Sequence, residues 1–349
     1  MASRSDSLRP PLTSTAEIED VMTEPSAGLI EQFSCSDGGT AILGAGGKMG
    51  PTLATMAAKA SQRPGGRNGL FAVSRFSDEI AVKSIESAGV TAIRCDLLDR
   101  QALAALPDAA NVVFMAGRKF GSTGAEDLTW ALNTYLPALV AERYRDARIV
   151  VFSTGNVYPF TTATGRGADE STPPNPVGEY AQSCLGRERI FEHFSRINGT
   201  EVMIVRLNYS IDVRYGVLVD ICTKVMRGEP VDVSMGHVNV IWQGDACDYA
   251  LRCLDIASSP PRILNVAGPE NLSVRWIAEQ FAEHFGLEPN LTGEASSTAL
   301  LSDSSRCGKL FGPPRVSVEQ MIHWVAEWLR RGGATLKKPT RFEVRDGRF

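Results

Sequence analysis

The chain has 349 residues, too many for one small core, so one large α/β unit with a smaller partner is expected. Hydrophobic residues make up 43% and charged residues 22%, and the net charge of -4 is mixed along the sequence, which argues against a nucleic-acid partner or a membrane surface. No apolar run approaches the roughly 20 residues that cross a bilayer, and seven scattered cysteines (Cys35, Cys95, Cys184, Cys222, Cys247, Cys253 and Cys307) without a C-x-x-C pair read as reduced thiols of a cytoplasmic protein.

Residues 1–36 are polar, carry Pro10, Pro11 and Pro25, and lack the apolar core of a signal peptide. They read as a disordered or loosely ordered extension, with a short helix at Thr15 to Met22. From Thr40 an apolar run meets Gly44, Gly46, Gly47 and Gly50, with Lys48 and Met49 between them, and a helix-forming stretch follows to Ala60. Strand, tight turn and helix in that order aim backbone N–H groups at an anion over the helix N-terminus. Met49 stands where G-x-G-x-x-G needs its third glycine, so the spacing that fits is Gly44-x-x-Gly47-x-x-Gly50. Lys48 lacks the Walker frame. The competing interpretation is an ordinary strand–helix turn; the flanking elements favour dinucleotide binding.

Strands are predicted at 69–74, 90–95, 111–115, 148–153 and 201–207. Helices are predicted at 78–87, 99–106, 126–145 and 177–197, the third disturbed at Pro137. Near-continuous apolar strands separated by helices predict a doubly wound parallel sheet of Rossmann type over 37–210. Beyond Asn208 the alternation weakens. Helices are predicted at 217–227, 245–256, 273–285 and 316–331, with short strands at 237–242 and 262–266. Residues 211–332 read as a smaller, mixed C-terminal substrate domain with some segments returning to the sheet, and 333–349 as a solvated basic tail. The Gly-, Thr- and Pro-rich loop from Pro159 to Pro176 reads as exposed and near the site.

An acidic residue ending strand two would bind the ribose hydroxyls of NAD. Ser74 and Arg75 stand there instead, and a guanidinium suits a 2′-phosphate. NADP is therefore favoured over NAD, against the alternative that Arg75 is simply exposed. Asp96, just past strand three and followed by Leu97, could accept from the adenine amino group or cap the next helix, a role Asp99 fills better. The four histidines show no metal-ligand spacing, and no metal is expected.

From about Gly39 to Leu329 the chain resembles the extended short-chain dehydrogenase/reductase family of the NAD(P)-dependent epimerase/dehydratase type. The resemblance is carried by the glycine turn, Cys95-Asp96-Leu97-Leu98-Asp99, Met115-Ala116-Gly117, Asn133, Phe152 to Pro159, Glu179-Tyr180-Ala181-Gln182-Ser183, Val205 to Asn208, His237 to Asp245 and Ile263 to Gly268. It implies hydride exchange between a nicotinamide and a secondary alcohol or ketone, with a sugar or sugar nucleotide as substrate. It further implies Thr154 as the hydroxyl that bonds the substrate oxygen and Tyr180 as the proton carrier. Met115, Ala116, Gly117, Asn133, Tyr180 and Asn208 would stand near the cofactor. Pairing of two long helices across a homodimer is also implied.

The family's lysine would fall at position 184, where this chain has Cys184. Spacing of four puts both side chains on one helix face. A phenol with a pKa near roughly 10 is a poor base at neutral pH, and a nearby cation lowers it by about 1–3 units. Arg187, two helical turns along, and Arg118 and Lys119, after strand four, are candidate substitutes. Cys184 is expected to be a small packed thiol. The alternative to an enzyme is a nucleotide-binding sensor or scaffold that has lost catalysis.

Overall fold

The computed structural model describes residues 8–36, 38–61, 69–338 and 340–348. Its centre is a seven-stranded parallel sheet: β1 (Thr40–Leu43), β2 (Leu70–Ser74), β3 (Thr91–Arg94), β4 (Asn111–Phe114), β5 (Arg148–Thr154), β6 (Val202–Leu207) and β7 (Arg262–Val266). The spatial order is β7-β6-β5-β4-β1-β2-β3. Thr40 pairs with both Leu70 and Asn111, so the strand order reverses at β1. In such sheets ligands bind at the crevice above that reversal.

Side chains alternate between faces as the pleat requires. Ile42 and Val113 enter one apolar cluster, and Ala41, Leu43, Val112 and Phe114 enter another on the opposite face. Helices cover both: α3 (Gly50–Ser61), α4 (Glu79–Ser87), α5 (Arg100–Ala104), α6 (Glu126–Trp130), α7 (Leu136–Arg143) and α8 (Gly178–Asn198). Asp78 and Asp99 cap α4 and α5 by accepting from N–H groups of the first turn.

Residues 1–36 depart from the loose extension expected. Residues 1–7 lie outside the described residues. Beyond them the predicted helix Thr15–Met22 forms as α1, and a second, unpredicted helix follows as α2 (Ala27–Cys35). Ser26 caps α2, and its own N–H and hydroxyl donate to Asp248. Ile18, Met22, Leu29 and Phe33 are buried. That distant docking holds a segment whose composition alone predicts little order.

The helix expected over 126–145, with a disturbance at Pro137, is α6, a π-helical segment at Ala131–Tyr135, and then α7. Pro137 lies in the first turn of α7, so the disturbance precedes it. Pro137 has no N–H to give to the carbonyl four residues back. That Asn133 carbonyl accepts instead from Arg187 Nε on α8, at 3.4 Å.

The C-terminal part packs α9 (Val217–Met226), α11 (Val274–Phe285) and α13 (Val318–Arg330) around one apolar cluster. Val274, Ile277, Ala278, Phe281 and Ala282 line the buried face of α11 at helical spacing. The helix predicted over 245–256 is α10 (Gln243–Arg252) followed by a short 3-10 turn, and α12 (Ser305–Phe311) was not predicted. β7, predicted as a short strand of this region, pairs with β6 and completes the large sheet. The tail is not solvated as expected. Thr340 donates twice to Asp220, Phe342 is buried, and Arg345 bonds Thr298 while lying over the Phe160 ring. Positions 339 and 349 lie outside the described residues.

Candidate functional site

The glycine turn leaves β1 at the sheet's C-terminal edge. Gly44 has φ +94°, and a Cβ there would stand 2.5 Å from Ala116 N. At Gly50 a Cβ would stand 2.1 Å from Ala45 O, so this glycine lets α3 close against the turn. Gly47 differs: a Cβ there would meet nothing closer than Gly44 O at 3.5 Å. A side chain at Gly47 would therefore project into space that the protein itself does not fill. The amides of Gly44, Ala45, Gly47 and Gly50 are bonded within the fold. Among the described residues no hydrogen bond uses the amides of Gly46, Lys48 or Met49. They remain available to an anion over the start of a 12-residue helix.

Two cavities meet at this turn, and both are walled by Gly44, Gly47 and Met115. One, of about 330 Å³, is lined by Gly46, Ser74, Arg75, Asp96, Leu97, Ala116 and Gly117. The other, of about 350 Å³, is lined by Lys48, Met49, Lys119, Thr154, Asn156, Asn208 and Tyr209. An elongated ligand with its anionic middle on the turn fits this pair. Arg75 is exposed at the mouth of the first cavity, and Asp96 accepts from Leu98 N in its own turn. Lys48 turns toward the second cavity, with its ammonium 4.0 Å from the centre of the Tyr215 ring; burial lowers its pKa to about 8.

Thr154 ends β5. Its hydroxyl donates to Asn156 Oδ1 at 3.0 Å, accepts from Asn156 N at 3.2 Å, and is hydrogen-bonded to the Tyr180 phenol. Tyr180, on the first turn of α8, is half-buried and lines neither of these two cavities. Burial, with Cys184 beside it, pushes the phenol's pKa well up, and Arg187 and Thr154 pull against that shift. Cys184 is buried and bonded to Tyr180. Burial raises its thiol, so it is neutral at neutral pH and off the cavity walls.

Asn133 also lies beneath the cleft. Its Oδ1 accepts from Arg118 N and Arg187 Nη2, both at 2.8 Å, and its Nδ2 donates to Arg118 O at 2.9 Å and Ser183 Oγ at 3.0 Å. Four protein partners saturate this amide, which positions the loop after β4 and leaves no capacity for a ligand. Asn208 lines the larger cavity, but its Nδ2 is committed to Asn239 Oδ1 and Leu300 O.

Sequence reasoning missed several wall residues. Thr340 comes from the tail, and Tyr215 from the segment after β6. Tyr209 holds a φ of +44°, a strained backbone of the kind that gathers at ligand sites. No local pattern announces any of these.

Residues 40–210 match the family model described as the NAD dependent epimerase/dehydratase family. No curated protein matches the chain by sequence at a significant level. Among solved structures, the chain is similar to MoeE5 in complex with UDP-glucose and NAD, at 19% identity and a TM-score of 0.66 over 84% of this chain and 99% of that one. It is similar to UDP-glucose 4-epimerase with UDP-glucose from Thermotoga maritima, at 16% identity and a TM-score of 0.70 over 84% and 99%. It is also similar to a DesIV double mutant, a dTDP-glucose 4,6-dehydratase from Streptomyces venezuelae with NAD bound, at 17% identity and 0.70 over 83% and 96%. At these identities the likeness shows a common fold. The match to the NAD dependent epimerase/dehydratase family model stands beside that likeness and covers residues 40–210, just under half of the chain.

Proposed function

We propose that the chain binds NADP, or NAD more weakly, across the two cavities and interconverts an alcohol and a ketone on the sugar of a sugar nucleotide. The observation that carries this is the glycine turn with three uncommitted amides between two adjoining cavities, one of them walled by Thr154. Sugar nucleotides are the ligands named for the structural neighbours, which supports the substrate class. The Gly46, Lys48 and Met49 amides would hold the pyrophosphate, and Ser74, Arg75 and Asp96 the adenosine end. Bound there, a nicotinamide supplies the hydride donor and acceptor. Thr154 would hold the substrate oxygen, and Tyr180, hydrogen-bonded to Thr154, would carry its proton. Exposed Leu128, Trp130 and Tyr135, with Val177 near the start of α8, support a homodimer through these helices. The seven free cysteines support a reducing, cytoplasmic setting, and no described helix is long and apolar enough to cross a membrane.

The test is calorimetric titration with NADP+, NADPH, NAD+ and NADH, followed by incubation with UDP-glucose, UDP-glucuronic acid and dTDP-glucose while the nicotinamide absorbance is followed. Absence of binding at millimolar nucleotide ends the proposal. Binding without turnover, restored by Cys184→Lys, would favour the impaired sensor instead.

Two substitutions sharpen it. Gly47→Val is expected to weaken nucleotide binding at least roughly tenfold while moving the urea midpoint little, because the added carbons fill space the protein does not use. Arg75→Asp is expected to weaken NADP+ about 10- to 100-fold and leave NAD+ nearly unchanged, as a charge-assisted bond is worth about 1.5–3 kcal/mol. Equal losses for both nucleotides would place Arg75 outside the site.

A further inference from the structure

We infer that Lys119, on the loop after β4, is the positioning residue that supplies Tyr180 with the cation missing at position 184, an assignment that rests on the alcohol–ketone chemistry proposed above. Its Nζ lies 5.6 Å from the centre of the Tyr180 ring, within cation–π reach. The same side chain lines the larger cavity beside Thr154 and interacts electrostatically with Cys184. One ammonium therefore lies near the Tyr180 ring, acts electrostatically on the thiol that replaces the lysine, and borders the space where a ligand would sit.

The loop that carries it is held in place. Asn133 binds both the N–H and the C=O of Arg118, the residue just before. The Arg118 guanidinium donates to Gly121 O and folds the loop back on itself. Asn133 in turn sits in the π-helical segment. A chain of local contacts thus connects an irregular helix to the direction of Lys119.

The rival cation is Arg187. It is 5% exposed, and its N–H groups donate to Asn133 O, Asn133 Oδ1 and Phe152 O. Its donors are directed to oxygens of β5 and of the π-helical segment. It contributes a fixed background field at Tyr180. Lys48 is the other cation on the cavity wall, and it sits over Tyr215. Of these two wall cations, Lys119 is the one within cation–π reach of the Tyr180 ring. Burial lowers its pKa to about 8, so it is charged at pH 7 but responsive to its surroundings. A compact ammonium with three donors matches what position 184 would have provided.

The test pairs a charge readout with a rescue. Competitive acylation of Lys119 across pH, followed by peptide mapping, is expected to give an apparent pKa near 8, against an ordinary lysine value of about 10.4. Cys184→Lys is expected to lower that value by about one unit or more, since two like charges would share one site. Saturating NADP+ is expected to slow the labelling. These readings need no turnover. An ordinary pKa that ignores Cys184→Lys overturns the inference, whatever becomes of the proposed activity. Where the UDP-glucose or dTDP-glucose probe turns over, Lys119→Met is expected to lose about 10- to 1000-fold and to move the alkaline limb of the pH profile. That range matches a phenol shift of about 1–3 units. Lys119→Arg should retain most of the rate, and Cys184→Lys added to Lys119→Met should restore it. A rate unmoved by Lys119→Met, or a loss that neither Lys119→Arg nor Cys184→Lys corrects, also overturns it.

Discussion

Tyr180→Phe is expected to lower turnover of an accepted sugar nucleotide by about 10²- to 10⁴-fold while leaving nucleotide affinity within about twofold. The substitution removes one hydroxyl and keeps the ring, so α8 should pack as before. Tyr180 lies off both cavity walls, and nucleotide contacts are assigned to the glycine turn and the β2–β3 edge. What goes is the proton route through the bond between the phenol and Thr154. Burial pushes that phenol's pKa well up, so it is protonated at neutral pH in this state and suited to giving a proton to a forming alcohol. Removing a substrate proton requires the nearby cations to offset that burial. A pre-steady-state measurement in both directions checks this. A loss confined to KM would show that Tyr180 binds substrate without handling the proton.

The largest stability effect is expected at Glu188. This side chain, fully buried on α8, accepts from Arg206 Nε at 2.9 Å and Nη2 at 2.6 Å, and from Ser153 Oγ at 2.5 Å. Arg206 is itself only 1% exposed and lies over the Tyr158 ring, whose hydroxyl donates to Asn265. Glu188→Gln leaves a buried guanidinium without its counter-charge. The cost is expected to be about 3–5 kcal/mol in urea unfolding. Glu188→Leu combined with Arg206→Met should recover most of that loss, because desolvating two ions consumes much of what their attraction provides. The pair fastens α8 to β5 and β6. The double variant should therefore fold well yet hold Tyr180 less accurately against Thr154. A double variant as unstable as the single one would mean that the pair does more than cancel its own charges.

The sheet was largely legible because β1, β2, β4, β5 and β6 are near-continuous apolar runs, and that composition arises where both faces are covered. The pairing of β7 with β6 was not, since a short strand's register depends on a neighbour far away in sequence. The glycine turn was readable at each position, and the structure adds the difference between Gly50, which touches Ala45, and Gly47, which touches almost nothing. Asn133 was expected near the cofactor, and its amide brackets Arg118 in the loop after β4. That arrangement depends on a π-helical segment, and on a Pro137 whose missing N–H frees a carbonyl for Arg187. The tail's basic residues suggested solvent. Asp220 and Thr298, which hold it, lie too distant along the chain to reveal themselves locally.

The two N-terminal helices touch different parts of the molecule. Leu12, Ile18 and Met22 join the apolar cluster of the C-terminal part, whereas Leu29 and Phe33 join the one beneath the parallel sheet. Such a clasp resists rotation of one lobe against the other, because any swing would pull one helix from its bed. Admission of a bulky guest must then come from short-range yielding of the loops at the rim, and cutting the clasp should loosen the whole jaw.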